Sequence, residues 1–178
     1  LLPVPGQEEA RPEVIVSAVA SVAAATPTDQ VVIAVVLDHA EHWHTWPNKP
    51  ELPPELEDVI PIPTTISLAE QPASISHVGP VQWPEPGEVG VDLAPVTIQS
   101  FVRRTVAYLP LIIAADAPTG PVDLNVQVRY QACDDSICLR PTTETIPVRF
   151  DVVAAGAPGA GAPNQPELFT GFDASIFA

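Results

Sequence analysis

Residues 122–132 read VDLNVQVRYQA. Val122, Leu124, Val126, Val128 and Tyr130 fall on one side of an extended chain, and Asp123, Asn125, Gln127 and Arg129 on the other. Side chains alternate across a strand, so this two-residue period predicts a strand with one face in a core and one in water. The turn Ala117-Pro-Thr-Gly-Pro121 precedes it, and Thr143–Val153 (TETIPVRFDVV) is its predicted partner. Before the turn, Arg103–Ala114 (RRTVAYLPLIIA) is a further strand, and Pro110, which has no N–H to give to a ladder, places it at an edge or a bulge.

The front of the chain is less regular. Gln30–Leu37 (QVVIAVVL) is a β-branched apolar run that predicts a buried strand. Glu13–Ala24 places Val14, Val16, Ala18 and Ala20 on one face, although its alanines leave a helix open. Ile62–Leu68 and Ser74–Val78 are short strand candidates. Residues 38–60 are interrupted by prolines and read as a long irregular connection, and Gln82–Pro95 reads as a loop. About seven short strands separated by turn signals predict an all-β, immunoglobulin-like antiparallel sandwich with long Pro-rich loops. The division expected is a disordered leader over 1–12, the sandwich over 13–153, and an Ala/Gly/Pro linker with a Phe-containing tail over 154–178 that leads to a membrane domain or else docks on the sandwich.

Composition narrows the function. The 178 residues hold 22 acids and 7 bases, a net charge of −15, which excludes nucleic acid as the main partner. The acidity is uneven: residues 1–92 carry 14 acids and 2 bases, and residues 93–153 carry 6 and 5. The 23 prolines and 9 glycines stay below the level at which composition alone implies disorder. No apolar run approaches the roughly 20 residues that cross a bilayer. Leu1 follows no basic region or initiator Met, which suggests a processed chain.

The chemistry-bearing residues are few. Cys133 and Cys138 sit in QACDDSICLRP, between the best strand and its partner. A short loop between antiparallel strands brings such flanking residues within disulfide reach. The residues alone favour a structural bridge, worth only about 2 kcal/mol for so short a loop, over a redox-active dithiol, and both over a zinc site. Asp134 and Asp135 disfavour the Cys133 thiolate, whereas Arg140 and Arg129 favour that of Cys138. His39, His42 and His44, with His77 farther on, allow a copper or zinc site, but read more simply as imidazoles that pack and hydrogen-bond in an aromatic loop. Neither a nucleophile elbow nor a phosphate-binding glycine loop is present.

The run Tyr130-Gln-Ala-Cys133-Asp-Asp-Ser-Ile-Cys138-Leu-Arg-Pro141, then Thr145-Ile-Pro-Val148, resembles the active-site hairpin of the N-terminal periplasmic domain of the DsbD family of thiol:disulfide interchange proteins. Trp43-His44-Thr-Trp46, Val81-Gln-Trp-Pro84-Glu-Pro86 and Val106-Ala-Tyr-Leu-Pro110 resemble further elements of that family in the same order, so the likeness covers about residues 13–153. It implies an immunoglobulin-like domain without a bound cofactor or metal. Its thiols would receive electrons from a membrane-embedded partner domain and reduce disulfides of extracytoplasmic proteins, in electron transfer that serves cytochrome c biogenesis. It implies a periplasmic place, tethered to the inner membrane. It implies Cys138 as the sulfur that joins the client and Cys133 as the resolving partner. It also implies a cap loop over the pair, at about Glu85–Ser100, which offers Glu85, Glu88 and Asp92 but no aromatic, the nearest being Trp83 and Phe101. The rival expectation is a non-catalytic sandwich with an inert disulfide that binds metal through His39, His42 and His44.

Overall fold

The computed structural model describes residues 11–92 and 94–178. The expected leader over 1–12 therefore lies outside the described residues except for Arg11 and Pro12. Among the described residues twelve strands follow in order: β1 Val14–Ala20, β2 Ala24–Ala25, β3 Gln30–His39, β4 His44–Thr45, β5 Thr65–Leu68, β6 Ile75–Val78, β7 Gly87–Val91, β8 Ala94–Val102, β9 Arg104–Ile113, β10 Gly120–Tyr130, β11 Ala132–Cys133 and β12 Thr142–Val152. Three short 3-10 turns, at Pro54–Leu56, Pro166–Phe169 and Ala174–Phe177, complete the regular structure.

The strands form an immunoglobulin-like sandwich. One sheet runs β1-β3-β9-β6 and the opposing sheet β2-β12-β10-β5. The pairs are antiparallel except for the short β2–β12 contact. The alternation in β10 holds residue by residue: Val122, Leu124, Val126, Val128 and Tyr130 are buried and Asp123, Asn125 and Arg129 are exposed. These side chains meet Val31, Ile33, Val35 and Leu37 of β3 and Leu109, Leu111 and Ile113 of β9 in one core. At about 25 cal/mol per Å2 of apolar surface removed from water, burial of this kind is the main term holding the two sheets together.

One expectation narrows and one needs correcting. β9 is an interior strand, with β3 on one side and β6 on the other, so of the edge or bulge expected for Pro110 the edge is excluded. It lies where β6 ends at the Val78–Leu111 pair and before the Gln82–Tyr108 bridge. There the chain passes as Gly79, whose N–H donates to the Pro110 carbonyl at 2.9 Å. A Cβ on Gly79 would lie 2.8 Å from the proline ring, so the pair fits only with glycine. Residues 82–95 are not all loop either, because β7 and the start of β8 make a hairpin there with Val89 opposite Ile98.

β8 and β9 are nearly one strand, bent at Arg103, whose φ of 52° puts it in the left-handed region. The bend carries β8 out of the sandwich into a third sheet, β11-β4-β8-β7. The pairing sets its faces. Thr45 lies opposite Ala132 and Phe101, and His44 opposite Cys133 and Val102. Alternation then sends Ala132, Thr45 and Phe101 toward the sandwich, and Cys133, His44 and Ile98 away from it.

The segment after Ala154 returns to the outer face of β3 and β9. Asn164 Nδ2 donates to the Ala20 carbonyl at 3.1 Å, Tyr108 Oη to the Leu168 carbonyl at 2.7 Å, and Gln82 exchanges two hydrogen bonds with the Asp173 backbone. Leu168, Phe169, Phe172 and Phe177 pack on Val32, Ala34 and Tyr108. The Phe172 ring meets Tyr108 edge-on at 5.6 Å and Phe177 at 5.8 Å. Phe172 is half-buried, so Phe172→Ala is expected to cost about 1–2 kcal/mol and lower the urea midpoint, with the denaturant slope unchanged.

Candidate active site

The two cysteines form a disulfide within a small hairpin that projects between β10 and β12. Cys133 and Cys138 face each other in an isolated antiparallel bridge. The Asp134 N–H donates to the Ile137 carbonyl at 2.9 Å, and the Leu139 N–H to the Ala132 carbonyl at 2.8 Å. One oxygen of the Asp134 carboxylate accepts from the N–H groups of Ser136 and Ile137, both at 2.8 Å. Those two bonds, Ile137 first, hold the Asp134 carboxyl below its usual range. The residue at 134 is thus chosen for the turn it closes.

The two sulfurs have different surroundings. Cys133, inside the third sheet, is 1% exposed, whereas Cys138, past the turn, is exposed. Cys133 packs with Trp46, Leu56 and Ile98. These residues, with Val59, Val91, His44 and the hairpin itself, line a half-open cavity of about 120 Å3. Trp46 is fixed by three bonds in series: its indole N–H donates to Gln131 Oε1 at 3.2 Å, Gln131 Nε2 donates to the Leu139 carbonyl at 3.0 Å, and Thr64 Oγ1 donates to the Trp46 carbonyl at 2.6 Å. The prolines of residues 47–63 exclude an α-helix and leave a loop with the single 3-10 turn Pro54–Leu56, which folds over the cysteine with Leu56 turned inward.

The cover is a hairpin and a loop together. The tip of the β7–β8 hairpin reaches the cysteine turn, where the Asp92 N–H donates to the Asp135 carbonyl at 2.9 Å and Ser136 Oγ donates to the Asp92 carboxylate at 2.7 Å. Of the residues expected at the site, Asp134 and Asp135 line the cysteine cavity. Glu88 is exposed and lines an adjoining groove with Asp135 and His44. Trp83 and Phe101 stack at 5.7 Å on the sandwich side of β8, away from the cavity, and Glu85 lies with Phe101 in a separate cleft. Tyr130 belongs to the main core, where burial and then its hydrogen bond to Glu144 push the phenol above its ordinary range. Arg129 and Arg140 are exposed and, among the described residues, form no ion pair. Trp46, not an aromatic within 85–100, lies against the buried cysteine. Val91, Ile98, Leu56, Val59 and Ile137 carry no signal of the site in the sequence, apart from the β8 alternation that puts Ile98 on the same face as Val102, the face that His44 and Cys133 share.

The histidines divide. His39 is buried, with Nδ1 2.8 Å from the Arg103 carbonyl and Nε2 3.0 Å from Thr45 Oγ1. A carbonyl can only accept, so Nδ1 carries the proton and the threonine hydroxyl donates to Nε2. His42 and His77 are exposed. His44 is 2% exposed and lines the cysteine cavity. Burial lowers the pKa of both His39 and His44, against the backbone bond and Asp38 for the first and against Asp135 for the second. Among the described residues no group of three or more His, Cys, Asp or Glu could hold a metal ion, and no helix is long and apolar enough to cross a membrane.

The family model for the N-terminal part of the thiol:disulfide interchange protein DsbD matches residues 11–149. Among solved structures, the chain is similar to the N-terminal periplasmic domain of ScsB from Proteus mirabilis, at 20% identity and a TM-score of 0.54, over 82% of this chain and 48% of that one. It thus spans about half the length of that ScsB structure. It is also similar to the N-terminal domain of DsbD from Neisseria meningitidis in the reduced form, at 13% identity and a TM-score of 0.42, over 78% and 90% of the two chains. No curated protein matches the chain.

Two outcomes are expected. The fold prefers neutral His39 and His44, so their contribution is complete above the ordinary value of 6.5 and is lost as pH falls below it toward the lowered folded values, because the unfolded chain takes up protons the folded one refuses. Urea midpoints are expected to fall between pH 7.5 and 5.5, before carboxylates titrate, and less so in His39→Gln. Asp92→Ala removes one exposed bond to the cysteine turn, so stability should change by less than about 1 kcal/mol while reduction of the disulfide by dithiothreitol speeds up several-fold.

Proposed function

We infer the function of this chain from its family: it belongs to the N-terminal domain family of the thiol:disulfide interchange protein DsbD. We propose that it is a periplasmic disulfide-reductase domain in which Cys133 and Cys138 cycle between disulfide and dithiol. Electrons would arrive from a membrane-embedded partner domain and leave to disulfides of extracytoplasmic proteins.

The observation that carries this reading is the unequal exposure of the two sulfurs. A client disulfide can reach Cys138 on the outside of the turn and cannot reach Cys133 beneath Trp46 and Ile98. In the forward step the Cys138 thiolate attacks a client sulfur and the client's other sulfur leaves as a thiolate. Cys133 then attacks Cys138, closes the protein disulfide and releases the second client thiol, so two electrons pass to the client. Ile137, exposed beside Cys138, offers an apolar contact to the docking protein.

The test is a pair of measurements. The reduction potential of the Cys133–Cys138 couple is expected above about −300 mV, and a lower value would mark an inert structural bridge. Cys133→Ser is expected to accumulate a long-lived mixed disulfide with an oxidised protein substrate, and Cys138→Ser to form none. Equal trapping by both variants would overturn the assignment.

A further inference from the structure

His44 has no task in the fold comparable to that of His39. Both are buried, but His39 uses its two ring nitrogens to join Arg103 and Thr45. Among the described residues, neither ring nitrogen of His44 is hydrogen-bonded. Among the described residues the fully buried side-chain atom left without a partner is Ser100 Oγ, so the His44 nitrogens, unbonded but not sealed off, keep contact with the groove. His44 is the direct cross-strand partner of Cys133 in the β4–β11 pair. Facing side chains of such pairs stand about 4.5–5.5 Å apart at Cβ. His44 lines both the cysteine cavity and the adjoining groove of about 660 Å3, so it borders the buried cysteine and the outside alike.

We propose that His44 is the proton acceptor for Cys133 in the second step of exchange, a role that rests on the thiol–disulfide function proposed above. Cys133 sits in an apolar enclosure that disfavours its thiolate, so it needs a base at hand to become the resolving nucleophile. In the mixed disulfide, His44 takes the proton from the Cys133 thiol as its sulfur attacks Cys138. The Cys133–Cys138 bond forms, the bond from Cys138 to the client breaks, and the client sulfur leaves with the electron pair. The imidazolium then gives its proton to that departing thiolate, so protons and electrons balance.

The charges around His44 suit this cycle. Asp134 and Asp135 face it from the cysteine hairpin, His39 from β3, Glu88 from β7, and Arg103 and Arg104 from the bend between β8 and β9. Glu41 and His42, on its own loop, pair with each other at 3.7 Å. Burial keeps His44 neutral near pH 7, ready to accept, and Asp135 is placed to stabilise the imidazolium that follows.

The experiment follows the reduced domain as it reacts with oxidised glutathione. In the wild type the mixed disulfide should collapse with a rate that rises through the His44 titration below pH 6.5. In His44→Gln the collapse is expected to slow at least about tenfold and to lose that inflection. Formation of the mixed disulfide, measured in Cys133→Ser with and without His44→Gln, is expected to change less than about twofold. An unchanged collapse, or equal slowing of both steps, would overturn the proposal. Should His44→Gln fail to fold, NMR titration of His44 in the wild type decides: its midpoint should differ between oxidised and reduced forms, and identical midpoints would overturn it. A wild type that does not react with oxidised glutathione at all would instead sink the exchange function, and this role with it.

Discussion

The imidazole of His39 is the joint on which the site depends. It closes the last turn of β3, a strand of the main sandwich, against the Arg103 carbonyl and the Thr45 hydroxyl. The backbone N–H of His39 donates to the same carbonyl at 2.8 Å. A non-glycine residue with φ of 52° is disfavoured by itself, and these two bonds to one oxygen hold the chain there. With the bend fixed, β8 leaves the sandwich at a set angle and β4 is anchored beside it. The two-residue period of strands does the rest. Residues of one parity enter the sandwich core, and those of the other parity, Cys133, His44 and Ile98, form a separate apolar floor.

That floor makes two chemically similar residues unlike. Cys133 is one of its members, while Cys138 lies beyond a tight turn and has no sheet to sink into. The turn is closed by backbone bonds and by the Asp134 carboxylate, so the disulfide adds little that the hairpin lacks. A bridge spanning five positions restricts the unfolded chain only modestly. Structural need is therefore a weak account of the pair, and the separation of one buried from one accessible sulfur is what exchange chemistry requires.

The alternation of residues 122–130 is enough to place β10 and its neighbour β12 in one sheet of a sandwich, because both faces of the strand have a definite environment. The hairpin at 87–102 was hidden by its own composition. Pro84, Pro86, Gly87 and Gly90 are turn formers, and their local preference outweighs the weaker pattern Val89, Val91 until β8 supplies a ladder. The cysteine turn was legible from its sequence, but its cover was not. The aromatic on the cysteine belongs to the loop after β4, and only strand pairing reveals that Trp46 has the same parity as His44 and Cys133. Trp83 and Phe101 flank the expected cap loop in sequence, but Phe101 has the opposite parity in β8 and Trp83 stacks on it.

One further pattern was visible and has a physical cause outside the site. QVVIAVVL does not alternate, although a sandwich strand with one wet face should. Val31, Ile33, Val35 and Leu37 enter the core, which leaves Val32 and Ala34 on the outer face. An outer face of that kind, continued by Tyr108 of β9, would be an exposed apolar patch unless something covers it. The cover is Leu168, Phe169, Phe172 and Phe177, more than 130 residues later. The small residues of 154–163 let the chain cross from β12 to this face, and the phenylalanines that follow have no other core to join. The unbroken apolar run and the aromatic tail are thus two halves of one packing arrangement, and each explains the other's departure from the expected pattern.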